Sequence, residues 1–387
     1  MSAHAFLPPS GAGIWGKSGG CTAWPTMVQL YPDTSDDTAA REGVASHEIG
    51  ATLINRAATG ITLTPDYFID KPASNGVIFT AEMFHAAKIY ADHVINVMRS
   101  TGVFGGAGFG TERKISIADI HDQCDGTPDQ FIFDEVQKQM HIWDYKYGFE
   151  IVEHFENWQL TTYARGVTDL LHLNGRDEQI VTVHLHVIQP RAVHRGGPIR
   201  TWSTTLANLR VYWNITRSNA VDAAAGGETV TGSHCKYCPA RHACDAARHA
   251  GMSLYETAMK PAHGEIPPAA LGLQLYIARR AAEQLKLLVT GYEEQVKRTI
   301  KNGTGVPGWT VQKTFGRQKW AKPVSEIITL GTLLGVDLKK PDEAITPNQA
   351  EKLGIDKGVI TAYSHMVETG VEVTPATESK IKQLFED

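Results

Sequence analysis

The segment Asp125-Gly126-Thr127-Pro128-Asp129 is followed a short run later by Asp144-Tyr145-Lys146. If residues 129–133 and 140–146 pair as neighbouring strands, Asp129 and Asp144 converge at one end of a sheet. Side chains alternate along a strand, so Asp144 and Lys146 share a face while Tyr145 points away and offers its carbonyl. Two carboxylates and a carbonyl make a hard oxygen cage suited to Mg²⁺ or Mn²⁺. Such an ion polarises a phosphodiester and lowers the pKa of a bound water. Lys146 can then orient or deprotonate that water, or offset charge developing on the phosphate. A D-x-K triplet alone is equally what a salt-bridged edge strand presents.

Two further pairs have helical spacing. Gly43 and His47 lie one turn apart, so the glycine leaves space beside the imidazole for a backbone, a metal or a nucleic acid. A neutral imidazole there could add a nitrogen ligand; a half-buried packing histidine is the plain alternative. Gln159 and Tyr163 repeat the spacing after the sheet and put an amide and a phenol on one face, within reach of a phosphate or of Lys146.

In order, GxxxH, GxPD, DxK and QxxxY resemble the RecB-like branch of the PD-(D/E)XK nucleases over roughly residues 39–165. The resemblance implies a restriction-endonuclease-like α/β (α+β) core, a mixed central sheet flanked by helices. It implies that His47, Asp129 and Asp144, with the Tyr145 carbonyl, hold Mg²⁺ or Mn²⁺. Lys146 would be the catalytic lysine, with Gln159 and Tyr163 accessory to it. The implied activity is hydrolysis of DNA, as an exonuclease, in recombination, replication or repair.

Five cysteines are an odd number for disulfides. Cys235, Cys238 and Cys244 fall within ten residues, close enough to wrap one soft metal centre. The fourth ligand must come from elsewhere, Cys21 being the natural candidate and Cys124 the alternative. Spacing leaves zinc, with His234 or His242 as fourth ligand, and an iron–sulfur cluster both open. One cysteine before the nuclease motifs and CxxCx5C after them is similar to the 4Fe-4S staple of AddAB-type and CRISPR-adaptation nucleases. That resemblance implies a structural cluster on Cys21, Cys235, Cys238 and Cys244, and leaves Cys124 a free thiol.

These residues need elements to position them. Apolar periodicity predicts helices over 39–58 and 79–99, and a Gly-rich break over 102–110. ISIADI, DQFIFD and MHIWDYK within 113–147 read as a small antiparallel sheet. A helix over 156–174, a strand over 181–190, a helix over 201–223 and a long amphipathic helix over 267–301 follow. Residues 1–35 read as irregular. The expected organisation is an N-terminal segment 1–38 with the first cluster ligand and a nuclease core 39–230. An iron–sulfur region with a long helix over 231–303 and a small mixed domain over 304–387 complete it.

The net charge of −5 argues against indiscriminate polyanion binding but permits a local basic groove. Arg191, at the end of the 181–190 strand, is a candidate to face DNA. Lys313, Arg317 and Lys319 alternate with Trp309 and Trp320, a mixture that can stack on bases and meet phosphates, or form a hairpin with a solvated face. His184 and His186 share a strand face, where sheet packing is expected over a second metal site. The tail resembles uncharacterised phage-associated proteins, which implies a phage or prophage origin and a recombination or single-strand annealing protein as partner. No Walker A sequence is present, which excludes a P-loop ATPase of the chain's own. No run approaches the ~18 apolar residues of a membrane span, and no secretion signal is recognisable in MSAHAFLPPSGAGIW, so a cytoplasmic location is expected. Oligomeric state is left open.

Overall fold

Thr38–Ala58 (α1) and Ala81–Thr101 (α2) are long helices that pack against one another. The Thr80 hydroxyl caps α2 by accepting from Met83 N, and Gly102, in the left-handed region at φ 71°, ends it. A computed structural model of the chain describes residues 5–33, 38–173, 175–192, 194–259, 264–315, 319–322, 324–340, 343–344, 346–352, 354–365 and 368–375.

Beyond α2 come strands Phe109–Thr111 (β1), Gln130–Asp134 (β2) and Gln139–Tyr145 (β3), then helix Trp158–Leu170 (α3). Strands Thr182–Ile188 (β4) and Ile199–Thr205 (β5) follow, and helix Leu206–Ala224 (α4). The sheet order is β1-β2-β3-β4-β5. The β3–β4 pair is parallel, with α3 in the crossover, and the other pairs are antiparallel. The fold is therefore mixed α/β, a central mixed sheet flanked by helices, as expected.

Alternation along the strands builds both faces. Ile132, Trp143, Tyr145 and Ile188 pack under α1 and α2, with Ile49, Phe84, Tyr90 and Val94. Phe131, Met140, Ile142 and Leu185 face the other way, onto Leu160 and Val167 of α3 and Leu209 and Trp213 of α4. Each such fully buried side chain contributes roughly 1.5–3 kcal/mol. Leu7, Ala12 and Trp15 join this second cluster. The segment expected to be irregular thus carries helical turns at Ala12–Trp15 and Trp24–Leu30 and forms part of the core.

Three expectations need correction. The first strand of the sheet is β1, inside the Gly-rich stretch, and ISIADI contributes only Ile115–Ser116 to a two-residue ladder with Asp125–Gly126. A Cβ on Gly110 would stand 2.2 Å from Cε1 of Phe131. The glycine is there so that the Phe131 ring can lie across the strand, a tertiary need that overrides local propensity. Residues 201–205, expected to begin a helix, belong to the edge strand β5, Ile199–Thr205. Their β-branched and aromatic side chains suit a half-buried surface, and Thr205 caps α4 by accepting from Asn208 N. The helix expected over 156–174 stops at Leu170, and a short helix over Gly175–Ile180 precedes β4.

Helices Asp245–Ala258 (α5) and Pro268–Lys301 (α6) follow the core. The chain divides into two compact units between Gln284 and Leu285, within α6. The second unit has an antiparallel ladder of Trp309–Phe315 with Glu368–Pro375 and a small core of Ile327, Leu338, Ala350, Ile355 and Ile360. Among the described residues no helix is long and apolar enough to cross a membrane.

Candidate metal centre and cysteine cavity

Strand register builds the site. Thr111 pairs with Gln130, and Gln130 with Trp143, so one residue further on Glu112, Asp129 and Asp144 stand in a row across three neighbouring strands. Glu112 N donates to the Asp129 carbonyl at 3.0 Å, which extends the ladder to this row. Asp129 Oδ2 accepts from Tyr145 N at 2.6 Å, and Oδ1 lies 3.3 Å from Nδ1 of His47 on α1. The same Nδ1 is 3.4 Å from Glu112 Oε1. One ligand atom each from His47, Glu112 and Asp129 falls within 4.8 Å of the other two. Sequence reasoning missed Glu112: it belongs to no spaced pattern, and only the β1–β2 register brings it to Asp129.

On the other side of the row, Asp144 Oδ1 meets Lys146 Nζ at 2.9 Å and accepts from Gln159 Nε2 at 3.0 Å. Lys146 Nζ donates to Gln159 Oε1 at 3.3 Å, closing a triangle that holds the ammonium in place. Asp144 Oδ2 is buried with no hydrogen-bond partner. The Tyr163 hydroxyl donates to the Thr127 carbonyl at 3.2 Å, pinning the loop that delivers Asp129. A Cβ on Gly126 would stand 2.8 Å from Pro9 Cγ and 2.9 Å from Tyr163 Cε1, so this loop position has room for glycine alone. The Tyr145 ring lies 5.0 Å from that of His47, stacks on Tyr90 at 4.9 Å and shares a 2.7 Å hydrogen bond with Ser46 Oγ.

The electrostatics follow from burial and close charge. Burial alone would lower the pKa of His47, but the Asp129 carboxylate and then Glu112 outweigh it and raise it to about 10. Burial would raise Asp129, yet His47 and Lys146 hold it below its ordinary value. Asp144 is raised by burial, which Lys146 offsets only in part and Asp129 reinforces. Glu112 is raised by burial too, with His47 opposing. Beside the row opens a cavity of about 630 Å³ lined by Gly43, His47, Glu48, Thr52, Ser74 and Glu112 among others. A Cβ on Gly43 would meet nothing within 4 Å, so the space beside the imidazole is open.

Cys21, Cys235, Cys238 and Cys244 line a second, small cavity together with Trp24, Met27 and His234. Main-chain bonds bring the first of them there: Ala23 N donates to the Glu228 carbonyl at 3.1 Å, and Glu228 N to Thr22 Oγ1 at 2.8 Å. Val230 N points at Cys21 Sγ at 3.5 Å and Gly232 N at Cys235 Sγ at 3.4 Å, donors that favour thiolate sulfur. Cys124 is not in this set. It is fully buried in the core, where burial pushes its thiol up to about 12. His234 Nε2 is 2.8 Å from the Val230 carbonyl and His242 Nδ1 is 3.0 Å from the Pro239 carbonyl.

Arg191 and the paired histidines make their contacts outside both sites. The Arg191 guanidinium lies between the rings of Tyr147 and Phe149, at 4.1 and 4.0 Å from their centroids, and pairs with Glu82 at 2.8 Å. It fastens α2 to the loop after β3. His184 and His186 pack in a stack with His141, Trp143 and His93, with His141 Nδ1 3.1 Å from His186 Nε2. Lys313 lies opposite Val371 in the second unit, and Lys319 is in a two-residue ladder opposite His365. Arg317 lies outside the described residues.

Fold and site together define a mixed α/β protein with a histidine–carboxylate–lysine row at one end of its sheet and a four-cysteine cavity. The chain belongs to the family described as "Protein of unknown function (DUF2800)", whose profile matches residues 4–359. Comparison with curated proteins gave no match. A solved structure titled "Crystal structure of SSO0001" aligns at 12% identity over 58% of this chain and 95% of that one, with a TM-score of 0.22.

Proposed function

We propose that the protein is a divalent-cation-dependent nuclease of the RecB-like PD-(D/E)XK type, acting on DNA. The observation that carries this reading is the row itself: His47 and Asp129 on one side, Asp144 locked to Lys146 and Gln159 on the other, all at one sheet end. The donor set suits a hard cation, since two carboxylates and one imidazole cluster together and Asp144 Oδ2 is buried without a partner. Mg²⁺ or Mn²⁺ held by His47, Asp129, Asp144 and the Tyr145 carbonyl would supply Lewis acidity toward a phosphodiester and its attacking water.

The chain's own residues do the rest. Asp144 and Gln159 fix the Lys146 ammonium, so it donates to the attacking water or to a phosphate oxygen without first having to be ordered. Tyr163 holds the loop before Asp129 and thereby its carboxylate. Purified protein with Mg²⁺ or Mn²⁺ is expected to degrade linear or single-stranded DNA, and EDTA to stop it. Asp129→Ala, Asp144→Ala and Lys146→Ala should each cut the rate by about 10²-fold or more while the melting curve stays cooperative. Full activity in any of the three removes the assignment.

By the same resemblance we assign a 4Fe-4S cluster to Cys21, Cys235, Cys238 and Cys244, which line one cavity, with zinc as the alternative.

A further inference from the structure

We propose that Glu112 is a direct protein ligand of the divalent cation, on the side of Asp129 that faces His47. The inference rests on the nuclease reading only for the chemistry the ion performs; the ligand geometry stands without it. Glu112 Oε1 and Asp129 Oδ1 lie 3.4 and 3.3 Å from the same imidazole nitrogen, His47 Nδ1. Adjacent ligands at about 2.1 Å from an octahedral cation stand about 3 Å apart, so each carboxylate oxygen stands from the imidazole nitrogen much as a neighbouring ligand in such a shell would. Glu112 directly follows β1 and Asp129 directly precedes β2, the two joined by the Glu112 N to Asp129 carbonyl bond, and the third ligand comes from α1.

Two further observations point the same way. The Glu112 and His47 side chains are 39% and 29% exposed and line the open cavity of about 630 Å³, so an ion and its waters can enter from that side. Asp144 falls outside the set of atoms within 4.8 Å, and its Oδ1 is committed to Lys146 and Gln159. Its Oδ2 is buried and has no hydrogen-bond partner. The cation's protein ligands therefore extend across three strands, from Glu112 through Asp129 toward Asp144.

The test is Mn²⁺ binding, followed by calorimetry and by loss of the free-ion electron paramagnetic resonance signal, on the full-length protein. Glu112→Gln keeps the side-chain shape and should weaken Mn²⁺ binding about tenfold or more with an unchanged melting curve in the absence of metal. A residue that merely positions His47 loses its influence once the imidazole is gone. In a His47→Gln background, Glu112→Gln should still weaken the residual millimolar binding. Unaltered Mn²⁺ affinity in Glu112→Gln, or no further loss in the double variant, overturns the ligand assignment. Wild-type protein that binds Mn²⁺ through Glu112 yet leaves DNA intact overturns the nuclease reading and spares this one. Wild-type protein that cleaves DNA while Glu112→Gln binds normally does the reverse, and wild-type protein that binds no Mn²⁺ overturns both.

Discussion

Asp129 shows how one side chain can be given two tasks by geometry. Its Oδ2 closes the sheet end by accepting from Tyr145 N, and its Oδ1 faces His47. The delivery of that carboxylate depends on a glycine three residues earlier. Gly126 lies against Pro9 and Tyr163, and a methyl group there must push one of them aside. Gly126→Ala should cost roughly 1–3 kcal/mol of stability by overpacking, read from chemical denaturation. The Pro9 contact ties this segment to a distant part of the chain. The N-terminal segment is what Gly126 packs against.

At the scale of elements, β3 and β4 carry a histidine stack beside the site without sharing its chemistry. Burial lowers the pKa of His141 to about 3, reinforced by His184 and His93, and lowers those of His93, His184 and His186 as well. These rings are neutral in the folded protein and become charged when it unfolds in mild acid. Above the ordinary value of about 6.5 both states are neutral and the stack has no pH dependence. Below it the unfolded chain binds a proton that the buried His141 ring refuses, so stability falls as pH drops from about 6.5 toward 3, by ~1.4 kcal/mol per pH unit for that ring, with His93, His184 and His186 acting in the same direction. Chemical denaturation between pH 7 and 5 should show this slope, and His141→Gln should flatten it by about one proton. An unchanged slope in that variant would mean the ring is protonated in the fold.

For the whole molecule, the cysteine cavity joins the earliest described turns to the segment after α4. Cys21 is brought to Cys235 by hydrogen bonds from Ala23 N to the Glu228 carbonyl and from Val230 N to Cys21 Sγ. If a 4Fe-4S cluster occupies this cavity, the protein as purified without air is brown, absorbs near 400 nm and contains iron and sulfide. Cys21→Ser should bleach it and expose residues 5–33 to limited proteolysis. Cys124→Ser should leave the colour intact, because Cys124 is buried elsewhere in the core. A colourless protein with stoichiometric zinc would replace the cluster by a mononuclear site.

What the residues alone determined is local and periodic. Alternation put Asp144 and Lys146 on one face, and the 2.9 Å contact between them follows from that spacing. Helical spacing likewise put Gln159 and Tyr163 on one face, and three clustered cysteines announced a shared centre. Long apolar periods located α1, α2 and α6 to within a few residues. Register is a different kind of quantity, set by which strands meet and by the packing above them, and a slip of one residue leaves composition unchanged. For that reason β1 was hidden in a glycine-rich stretch whose logic is the Phe131 ring. Only the assembled sheet put Glu112 beside Asp129. Tertiary structure likewise decided that Arg191 is held between two aromatic rings, and that Cys21 rather than Cys124 faces the other three thiols.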